Sequence, residues 1–325
     1  MLEIEEFLKN PGVILDVRSP SEYEKGHIPG AQSLPLFSDM ERHHVGICYK
    51  QEGKEKAIEM GIELVGPKLS ELMARAKSLV GNEKKARVYC WRGGMRSNFV
   101  HWFLNFLGIQ TEILLKGYKS YRRYALELFS RPYSFKVLGG YTGVGKTDVL
   151  QELQKRGKQI IDLESLAQHR GSAFGLVPGI MQPTQEHFEN LLANALHQLD
   201  NTQPIWLEDE SRKIGSVHIH DGLFSTIKES DLYFLSEDRE KRIAHIVNLY
   251  SSMPKEYLVS CVYKLQKKLG LERANKAAEY IEKGDFASAT DLLLYYYDEN
   301  YHFALHKYQR TIFEQQKGEF LAFNH

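Results

Sequence analysis

A strand-like apolar run at residues 135–138 leads into the loop GGYTGVGKT at residues 139–147, and a helical pattern follows from 148 to 156. A strand, a G-x-x-x-x-G-K-[ST] loop and a helix in this order predict a phosphate-binding P-loop in an α/β domain, because the loop amides point at the anion. The Lys146 ammonium would reach the terminal phosphates, and the Thr147 hydroxyl would hold Mg²⁺ if a metal is used. The predicted diphosphate-binding residues are Gly140, Thr142, Gly143, Val144, Gly145, Lys146 and Thr147.

A second glycine loop, CWRGGMRS at residues 90–97, follows a strand candidate at 87–89 and opens into an apolar helical pattern at 97–107. The glycine pair lets successive N–H groups point inward, and the helix start adds the positive end of its dipole. With two arginine charges added, the loop favours a thiolate over a thiol. A buried cysteine in a tight turn is the alternative. We predict that Cys90 is the catalytic nucleophile and that a small anion is bound by Arg92, Gly93, Gly94 and Arg96.

Three short motifs precede this cysteine loop: DVRS at residues 16–19, EY at 22–23 and GHIPGA at 26–31. Together with the loop they resemble the single-cysteine rhodanese family, which implies an α/β domain. We interpret Asp16 and Arg18 as a structural ion pair in preference to a chemical role, and His27 as a brace of its turn. The KGYK sequence at 116–119 lacks the double glycine common in stand-alone rhodaneses.

Two further strand candidates, at residues 159–164 and 204–210, end in carboxylates, as in small P-loop kinases. In an NTPase one such carboxylate orients Mg²⁺ or its water. The pattern leaves open whether Glu208, Asp209 or neither does so here. A glycine-bounded loop at 165–175 is typical of a mobile substrate loop, and two cations follow the 204–210 strand. The candidate helpers of the phosphate site are Asp162, Arg170, Glu208, Asp209 and Arg212.

Cations alternate with tyrosines at residues 116–124, a mixture that neutralises phosphates and stacks bases. An ordinary solvated helix face explains the same pattern equally well. A second group of lysines and arginines forms a basic face at 264–276. The candidate nucleic-acid-binding residues are Lys119, Arg122, Arg123, Lys264 and Lys268.

The 325-residue length suits about two domains of ordinary size. A proline among polar residues at 130–133 predicts the boundary between an N-terminal domain, residues 1–130, and a P-loop domain, residues 131–325. The pattern from 253 onward is helical, so we expect a helical cap over residues 253–325. Within it, residues 279–297 resemble a helical hairpin that turns at Gly284.

Charge and cysteine content indicate which partners and which cellular compartment suit the protein. Lys and Arg together number 42, as do Asp and Glu, so a nucleic-acid surface must be a local basic patch. Three scattered cysteines are too few for a disulfide framework, which favours a reducing compartment. The acidic N-terminus is unlike a signal peptide, and no apolar run reaches the ~18 residues of a membrane helix. We expect a cytoplasmic protein without membrane contact.

The segment 37–68 is longer than a plain rhodanese connection and carries His43, His44 and Cys48. Adjacent histidines cannot both face one metal on a helix as an i,i+4 pair does, and no second Cys/His pair follows. We therefore predict no metal centre at this segment.

The two domains and four stretches together resemble the tRNA 2-selenouridine synthase family. The stretches are VGICYKQ at 45–51, CWRGGMRS at 90–97, DLE with AQHRGS at 162–172, and EDESRKIG at 208–215. The resemblance spans residues 11 to 300 and implies a transferase that modifies the wobble uridine of certain tRNAs.

The resemblance also implies the chemistry. A geranyl group from geranyl diphosphate alkylates the sulfur of 2-thiouridine, and selenophosphate then supplies selenium while geranylthiol leaves. The P-loop would hold the diphosphate, and Cys90 would handle selenium. The implied partners are a tRNA anticodon loop with a 2-thiouridine wobble base and an enzyme that produces selenophosphate. The use of Mg²⁺ stays open.

Two other functions fit the same motifs. One is a sulfurtransferase that forms a persulfide on Cys90 and passes sulfur to a tRNA thiolation partner. The other is a P-loop nucleotide kinase that carries a rhodanese domain as a binding module. The first would need no prenyl diphosphate, and the second would turn over ATP without tRNA.

Overall fold

The computed structural model describes residues 1–176, 179–305 and 307–323. The chain divides into two compact units. The first consists of Met1–Leu128 with Glu189–Asn194, and the second of Phe129–Phe188 with Ala195–His325. Each unit contains a parallel sheet connected by helices, so the predicted α/β class is confirmed for both.

The sheet of the first unit has the strands Val13–Asp16 (β1), Gln32–Ser33 (β2), Lys85–Tyr89 (β3) and Gln110–Ile113 (β4). They pair in parallel in the order β2-β1-β3-β4. Leu15 of β1 pairs with Val88 of β3, and both are fully buried, as expected for short apolar strands covered on both faces. Because the strands are parallel, the carboxyl ends of β1 and β3 meet at one edge, where Arg18 and Cys90 follow.

Seven complete α-helices lie among the described residues of the first unit. They are Ile4–Lys9 (α1), Pro20–Lys25 (α2), Asp39–Gln51 (α3), Lys54–Val65 (α4), Leu69–Val80 (α5), Met95–Phe106 (α6) and Gly117–Leu128 (α7). A capping box starts α3, because the Ser38 hydroxyl accepts from the Glu41 N–H and the Glu41 carboxylate accepts from the Ser38 N–H. The long 37–68 segment is thus a pair of helices, α3 and α4, that pack on each other.

One apolar core holds the first unit together. It joins Leu15 and Val88 of the sheet to Leu104 of α6 and to Val65 and Leu72 from the α4–α5 side. The Cys90 side chain belongs to this core, so its sulfur lies at the boundary between the packed interior and the loop that follows β3.

The sheet of the second unit has the strands Phe135–Gly140 (β5), Gln159–Ile161 (β6), Ile205–Glu208 (β7), Asp231–Ser236 (β10) and Ile312–Gln316 (β11). They are parallel in the order β11-β10-β5-β7-β6, which puts β5 in the centre. A separate antiparallel hairpin consists of Lys213–Ile214 (β8) and Val217–His218 (β9). The register pairs Leu138 of β5 with Glu208 of β7, so the carboxyl end of β7 lies beside the P-loop.

The helices of the second unit follow its strands and fill its C-terminal part. They are Lys146–Lys155 (α8), Leu163–Ala167 (α9), Gln185–Gln198 (α10, of which residues 189–194 group with the first unit), Asp221–Glu229 (α11), Arg239–Tyr250 (α12), Lys255–Lys264 (α13), Gln266–Leu269 (α14), Leu271–Lys283 (α15), Phe286–Leu305 (α16) and Lys317–Phe323 (α17). The predicted turn at Gly284 is confirmed, since this residue has φ +80° and ends α15.

The C-terminal segment differs from the predicted helical cap in one respect. Residues Ile312–Gln316 form β11, which pairs in parallel with β10 and lies at the edge of the sheet. The sequence prediction missed this strand because IFEQQ is short and largely exposed, without the apolar run of a buried strand. The Phe313 ring, stacked at 5.1 Å on Tyr233, contributes to its attachment.

No helix within the described ranges combines the length and the apolar character that a membrane span requires.

Candidate active sites

The cysteine loop joins β3 to α6 and is closed by backbone contacts to residues 114–117. Gly93 has φ +63°, and a Cβ there would lie 2.8 Å from the Leu114 carbonyl oxygen. A Cβ at Gly117 would lie 2.2 Å from the Cys90 carbonyl oxygen. Glycine is therefore required at both positions for steric reasons. The Cys90 carbonyl also accepts a hydrogen bond from the Tyr118 N–H at 2.8 Å, which fixes the loop to the start of α7.

Lys116 precedes Gly117 in the segment that closes the cysteine loop. Its φ is +60°, an uncommon backbone conformation for a residue with a side chain. Its side chain is exposed, so Lys116 places a cation at the surface beside the cysteine loop.

The Cys90 thiol is buried but lies among hydrogen-bond donors. The Gly94 N–H donates to Sγ at 3.3 Å, and the Ser97 hydroxyl lies 3.3 Å from Sγ. Burial raises the pKa of Cys90, but the Ser97 hydroxyl, the Arg96 charge and nearby backbone N–H groups lower it more, so its pKa lies below the ordinary value. The loop therefore favours the thiolate, which is the nucleophilic form.

The two arginines of the cysteine loop have different surroundings. Arg96 donates to the Glu22 carboxylate at 2.6 Å, and Glu22 is also the capping-box residue of α2. Arg96 is therefore held in place while its charge acts on the thiol. Arg92 is exposed and lines surface hollows on both sides of the loop.

A cavity of about 580 Å³ opens beside the thiol, and we call it the Cys90 cavity. Cys90, Trp91, Arg92, Gly94 and Arg96 line one side. The other side consists mainly of apolar residues, most of them from α3 and α4, and they include Phe37, Val45, Ile58, Ile62, Val65 and Phe99. Helix α3 also contributes the cations Arg42 and Lys50 to the lining.

The structural ion pair predicted at the end of β1 is confirmed. Arg18 and Asp16 are buried and 2.6 Å apart, and Arg18 also donates to the Gly26 carbonyl oxygen. The Tyr89 hydroxyl donates to Asp16 at 2.7 Å, which connects the pair to β3. The predicted brace at His27 is also confirmed, because its Nδ1 lies 3.0 Å from the Tyr23 carbonyl oxygen and its ring stacks on Tyr23 at 3.8 Å.

The P-loop joins β5 to the ten-residue helix α8. Gly143 and Gly145 have φ values of +86° and +79°. A Cβ at Gly143 would lie 2.7 Å from Ile246 Cδ1, and one at Gly145 would lie 2.6 Å from Lys317 Nζ. Both glycines are thus required, and Lys317 brings a cation to the loop from a distant part of the sequence.

A group of carboxylates surrounds the first turn of α8. Thr147 Oγ1 donates to Glu208 Oε1 at 2.7 Å. Oxygens of Glu164, Glu208 and Glu210 lie within 4.8 Å of one another. Burial raises the pKa of Glu164 to about 9 and that of Glu210 to about 7, with repulsion from neighbouring carboxylates adding to both. Burial also raises the pKa of Glu208, although Lys146 and Thr147 oppose the shift.

This carboxylate group fits a divalent cation. Glu208 Oε2 is buried and has no hydrogen-bond partner among the described residues. Oxygen donors are the ligands that Mg²⁺ prefers, and a cation would relieve the repulsion that raises these pKa values. The His43, His44 and Cys48 segment is different: His43 and His44 are exposed on α3, and Cys48 is buried.

Asp209 lies in a network of ion pairs and hydrogen bonds. It accepts from Lys228 at 2.6 Å, from Arg310 at 2.9 Å and from the Tyr301 hydroxyl at 2.9 Å. Burial alone would raise the pKa of Asp209, but the two cations lower it by more, so that the pKa is about 2. The two neighbouring carboxylates therefore have different partners: Glu208 contacts Thr147, and Asp209 belongs to an ion-pair network.

The P-loop lies at one end of a cavity of about 670 Å³, which we call the P-loop cavity. Its polar end includes Lys146, Thr147, Glu208 and Arg170. Its apolar part comes mainly from α13, α15 and α16 and includes Leu258, Ile281, Phe286, Ala289, Leu293 and Tyr297.

Comparisons with known proteins agree with this geometry. A family model described as the tRNA 2-selenouridine synthase AAA domain matches residues 133–323, and a model of the rhodanese-like domain matches residues 2–124. The chain belongs to the tRNA 2-selenouridine synthase family. A synthase of that name from Marinobacter nauticus is 38% identical over 81% of this chain and 77% of its own. Another, from Shewanella woodyi, is 33% identical over 93% of this chain and 90% of its own.

In this selenouridine synthase family member, the predicted site residues fall into two groups. Cys90, Arg92, Gly94 and Arg96 line the Cys90 cavity, with Gly93 shaping the loop. The P-loop cavity is lined by Thr142, Gly143, Gly145, Lys146, Thr147, Arg170, Glu208 and Asp209, while Gly140 and Val144 are buried beside it.

The other two predicted helpers have local partners. Asp162 caps α9 by accepting from the Ser165 N–H at 2.8 Å. Arg212 forms an ion pair with Asp221 at 2.5 Å in an exposed position.

Four residues of the P-loop site were not selected from the synthase sequence: Glu164, Glu210, His245 and Lys317. Glu164 and Glu210 lie close in the sequence to residues that were selected, Asp162 and Asp209. The turn of the backbone decides which of these carboxylates belongs to the carboxylate group at the first turn of α8. His245 lines the P-loop cavity from α12, and its Nδ1 lies 3.7 Å from Asp148. Lys317 follows β11, so the missed strand also concealed this cation.

The tyrosines of α7 do not take the base-stacking role predicted for them. Tyr118, Tyr121 and Tyr124 are buried, because their three-residue spacing puts them on the core face of the helix. Lys119 and Arg123 lie on the exposed face.

The exposed cations of α7 belong to a larger basic hollow. With Arg92, Lys116 and Ser120, Lys119 and Arg123 line a hollow of about 640 Å³, which we call the basic depression. Arg122 is directed elsewhere, forming an ion pair with Glu189 and a hydrogen bond with Asn190. In the second unit Lys264 and Lys268 are exposed at α13 and α14.

Proposed function

We propose that this protein is a cytoplasmic transferase that converts the wobble 2-thiouridine of tRNA into 2-selenouridine in two steps, one at each loop. Membership of the tRNA 2-selenouridine synthase family supports the overall reaction. The observation that carries the proposal is the combination, in one chain, of a thiolate-favouring loop and a P-loop whose cavity continues between apolar side chains.

The first step is alkylation of the tRNA sulfur by geranyl diphosphate at the P-loop. The sulfur of 2-thiouridine attacks C1 of the geranyl group, an S–C bond forms and the N3 proton is lost. The C–O bond to the diphosphate breaks, and the diphosphate leaves with the electron pair. Lys146 and the loop amides stabilise the charge on the leaving group, and this needs no nucleotide hydrolysis.

The apolar part of the P-loop cavity is suited to the hydrocarbon tail. A nucleoside triphosphate presents polar groups beyond its phosphates, whereas geranyl diphosphate presents only hydrocarbon. Residues such as Leu258, Ile281 and Leu293 offer apolar contacts to such a tail. Bound Mg²⁺ would be held by Thr147 and Glu208, with Glu164 and Glu210 nearby, and would add positive charge at the diphosphate.

The second step exchanges sulfur for selenium at Cys90. The Cys90 thiolate attacks the phosphorus of selenophosphate, the P–Se bond breaks and selenide leaves with the electron pair, and water then removes the phosphoryl group from sulfur as phosphate. The selenide held at the Cys90 loop forms a bond to C2 of the geranylated uridine. The C2–S bond breaks, and sulfur leaves with the electron pair and takes up a proton to give geranylthiol. Arg96 and the Gly94 N–H place positive charge where the selenium anion must be held.

The tRNA is held by its phosphates, and the target base comes from a single-stranded loop. Lys119 and Arg123 of the basic depression lie near the cysteine loop, with Arg92 shared by both. Lys264 and Lys268 supply a second basic surface. A base in the anticodon loop is less costly to unstack than one in a helix, so it can reach a loop site. A selenophosphate-producing enzyme is the implied source of the second co-substrate.

Mass spectrometry of tRNA nucleosides tests the proposal. Purified full-length protein, 2-thiouridine tRNA, geranyl diphosphate and selenophosphate should give 2-selenouridine without added nucleotide. Lys146→Ala should lower geranylation about a hundredfold or more, yet still convert pre-geranylated tRNA. Cys90→Ser should accumulate the geranylated nucleoside, because serine does not form an anion near neutral pH.

Lys155→Ala is the matched control, since Lys155 is an exposed cation on the same helix as Lys146. A strict ATP or GTP requirement for prenyl transfer would return the P-loop to an NTPase role. Sulfur transfer from thiosulfate through Cys90 without prenyl diphosphate would make the protein a sulfurtransferase. Comparable selenation by Cys90→Ser would remove the cysteine loop from the mechanism.

A further inference from the structure

We propose that the Cys90 cavity binds the geranyl chain of S-geranylated tRNA during the selenium step, so that the protein has a second prenyl site distinct from the P-loop cavity. This inference rests on the proposed function. It assigns a role to α3 and α4, the helices that occupy the long 37–68 segment.

The Cys90 cavity is lined by both cations and apolar side chains. Arg42, Lys50, Arg92 and Arg96 can contact an anion such as selenophosphate, but the larger apolar surface offers a strongly hydrated anion nothing in return for lost water. At about 580 Å³ the cavity is within the ~300–1,000 Å³ range of small-molecule sites, larger than such an anion needs. Ile58, Ile62 and Phe99 are instead suited to a flexible hydrocarbon.

Exposure of the wall residues supports the same conclusion. Ile58 is 39% exposed and Ile62 is 61% exposed, although both lie on a helix with an apolar core face. Large apolar side chains at a cavity mouth become covered when a hydrocarbon enters, and this burial contributes to binding.

The position of the thiol connects the cavity to the reaction. Cys90 lines the cavity, and Arg92 lines both the cavity and the basic depression. A nucleotide whose phosphates contact the basic depression and whose base reaches Cys90 would direct a substituent on C2 toward the α3–α4 walls. The cavity therefore binds the substituent that marks a correct substrate.

The same site receives the leaving group. As selenium bonds to C2 and the C2–S bond breaks, the geranyl chain is still among the apolar side chains, and sulfur takes the electron pair and then a proton. Binding of the chain holds the C2–S bond beside the selenium anion, which favours substitution over loss of the anion to water.

Chain-length selectivity tests the inference. tRNAs carrying S-geranyl, S-dimethylallyl or S-methyl 2-thiouridine are supplied with selenophosphate, and kcat/KM for 2-selenouridine formation is compared. The wild-type protein should favour geranyl over methyl by about tenfold or more, because each lost methylene costs contacts in an apolar site. Ile62→Asp should lower this geranyl-to-methyl ratio to near one.

Ile47→Asp is the matched control, because Ile47 is an apolar residue of α3 that is 38% exposed and its side chain is outside the cavity lining. It should keep the wild-type ratio. A second readout does not depend on turnover: geraniol should slow alkylation of Cys90 by iodoacetamide in the wild type and in Ile47→Asp, but not in Ile62→Asp.

The outcomes separate this inference from the proposed function. If no tRNA is selenated by the wild-type protein, the proposed function fails. If all three tRNAs are selenated at equal rates, or if Ile62→Asp and Ile47→Asp behave alike in both assays, the second prenyl site is wrong while the proposed function stands.

Discussion

At the scale of single residues, the chemistry depends on how a buried thiol is kept partly ionised. Desolvation alone would make Cys90 a poor nucleophile, and the loop opposes it with Ser97, Arg96 and inward-pointing N–H groups. Arg96 acts from a fixed position because Glu22 holds it. Ser97 contacts the sulfur and the Gly94 carbonyl oxygen, so it orders both the thiol and the loop.

The pKa of the Cys90 thiol should therefore lie below that of an ordinary cysteine. Ser97→Ala should raise its pKa, because a group that stabilises the thiolate is removed. If the titration midpoint rises by about one pH unit, alkylation by iodoacetamide at a pH below both midpoints should slow about tenfold, in proportion to the thiolate fraction. The measurement is the pH profile of Cys90 modification, followed by peptide mass spectrometry.

Ser97→Ala leaves the Arg96–Glu22 ion pair in place, so a change reports on the hydroxyl. Ser78→Ala, on the exposed side of α5, is the control and should leave the profile unchanged. Identical midpoints for the wild type and Ser97→Ala would show that the hydroxyl does not act on the sulfur.

At the scale of secondary-structure elements, the carboxyl ends of β6 and β7 bring acidic residues to the P-loop. Strand pairing puts Glu208 opposite Leu138, just before the loop, and α9 adds Glu164. Gly171 permits this approach, since a Cβ there would lie 2.4 Å from Glu164 Oε1. Like charges in a buried group cost stability unless protons or a cation neutralise them.

This cost has a defined pH dependence. The folded-state pKa of Glu164, about 9, lies above its ordinary value, so the folded protein binds the proton more tightly than the unfolded chain. Stability from this group is present below pH ~4.5 and is lost as pH rises toward 9. Glu164→Gln should raise the melting temperature at pH 8 and change it less at pH 5.

Added MgCl₂ tests whether the carboxylate group binds a cation. At pH 8 it should raise the melting temperature of the wild type more than that of Glu164→Gln. Glu152→Gln, an acidic residue at the far end of α8, is the control for general charge effects. Equal pH and Mg²⁺ responses in wild type and Glu164→Gln would rule out the carboxylate group as a cation site.

At the scale of the whole molecule, a neutral chain must bind an anionic partner through local surfaces. Lys and Arg equal Asp and Glu at 42 each, so long-range attraction of RNA is weak without clustering. The basic depression is one such cluster, and the exposed lysines of α13 and α14 are another.

The salt dependence of tRNA binding should therefore arise from the contacts of a small number of residues. The double variant Lys119→Ala/Arg123→Ala should weaken binding and reduce the slope of log affinity against log salt by about 1 to 2, as expected for two lost phosphate contacts. Lys264→Ala/Lys268→Ala tests the second surface in the same way. Filter binding or fluorescence anisotropy across a salt series measures both.

Lys54→Ala/Lys77→Ala removes two exposed cations from α4 and α5 and should leave the slope unchanged. If all three double variants behave like the wild type, the RNA surface lies elsewhere. If the control lowers affinity as much as the others, only net charge matters.

Short-range patterns in the sequence already determined much of this protein. The strand, glycine loop and helix of the P-loop, the cysteine loop and the Asp16–Arg18 pair all depend on residues within a few positions of each other. Glycine conformations and helix periodicity are local properties, so spacing was enough to predict both phosphate binding at Lys146 and a reactive thiol at Cys90.

Only the tertiary structure decided which neighbouring side chain faces which partner. The register of β7 against β5 places its last residue, Glu208, beside the P-loop at Thr147, whereas Asp209, just past the strand, contacts Lys228 and Arg310. Burial of the α7 tyrosines depended on the core, and Lys317 reached the P-loop through an edge strand. Such contacts join residues far apart in the chain, and local spacing carries no information about them.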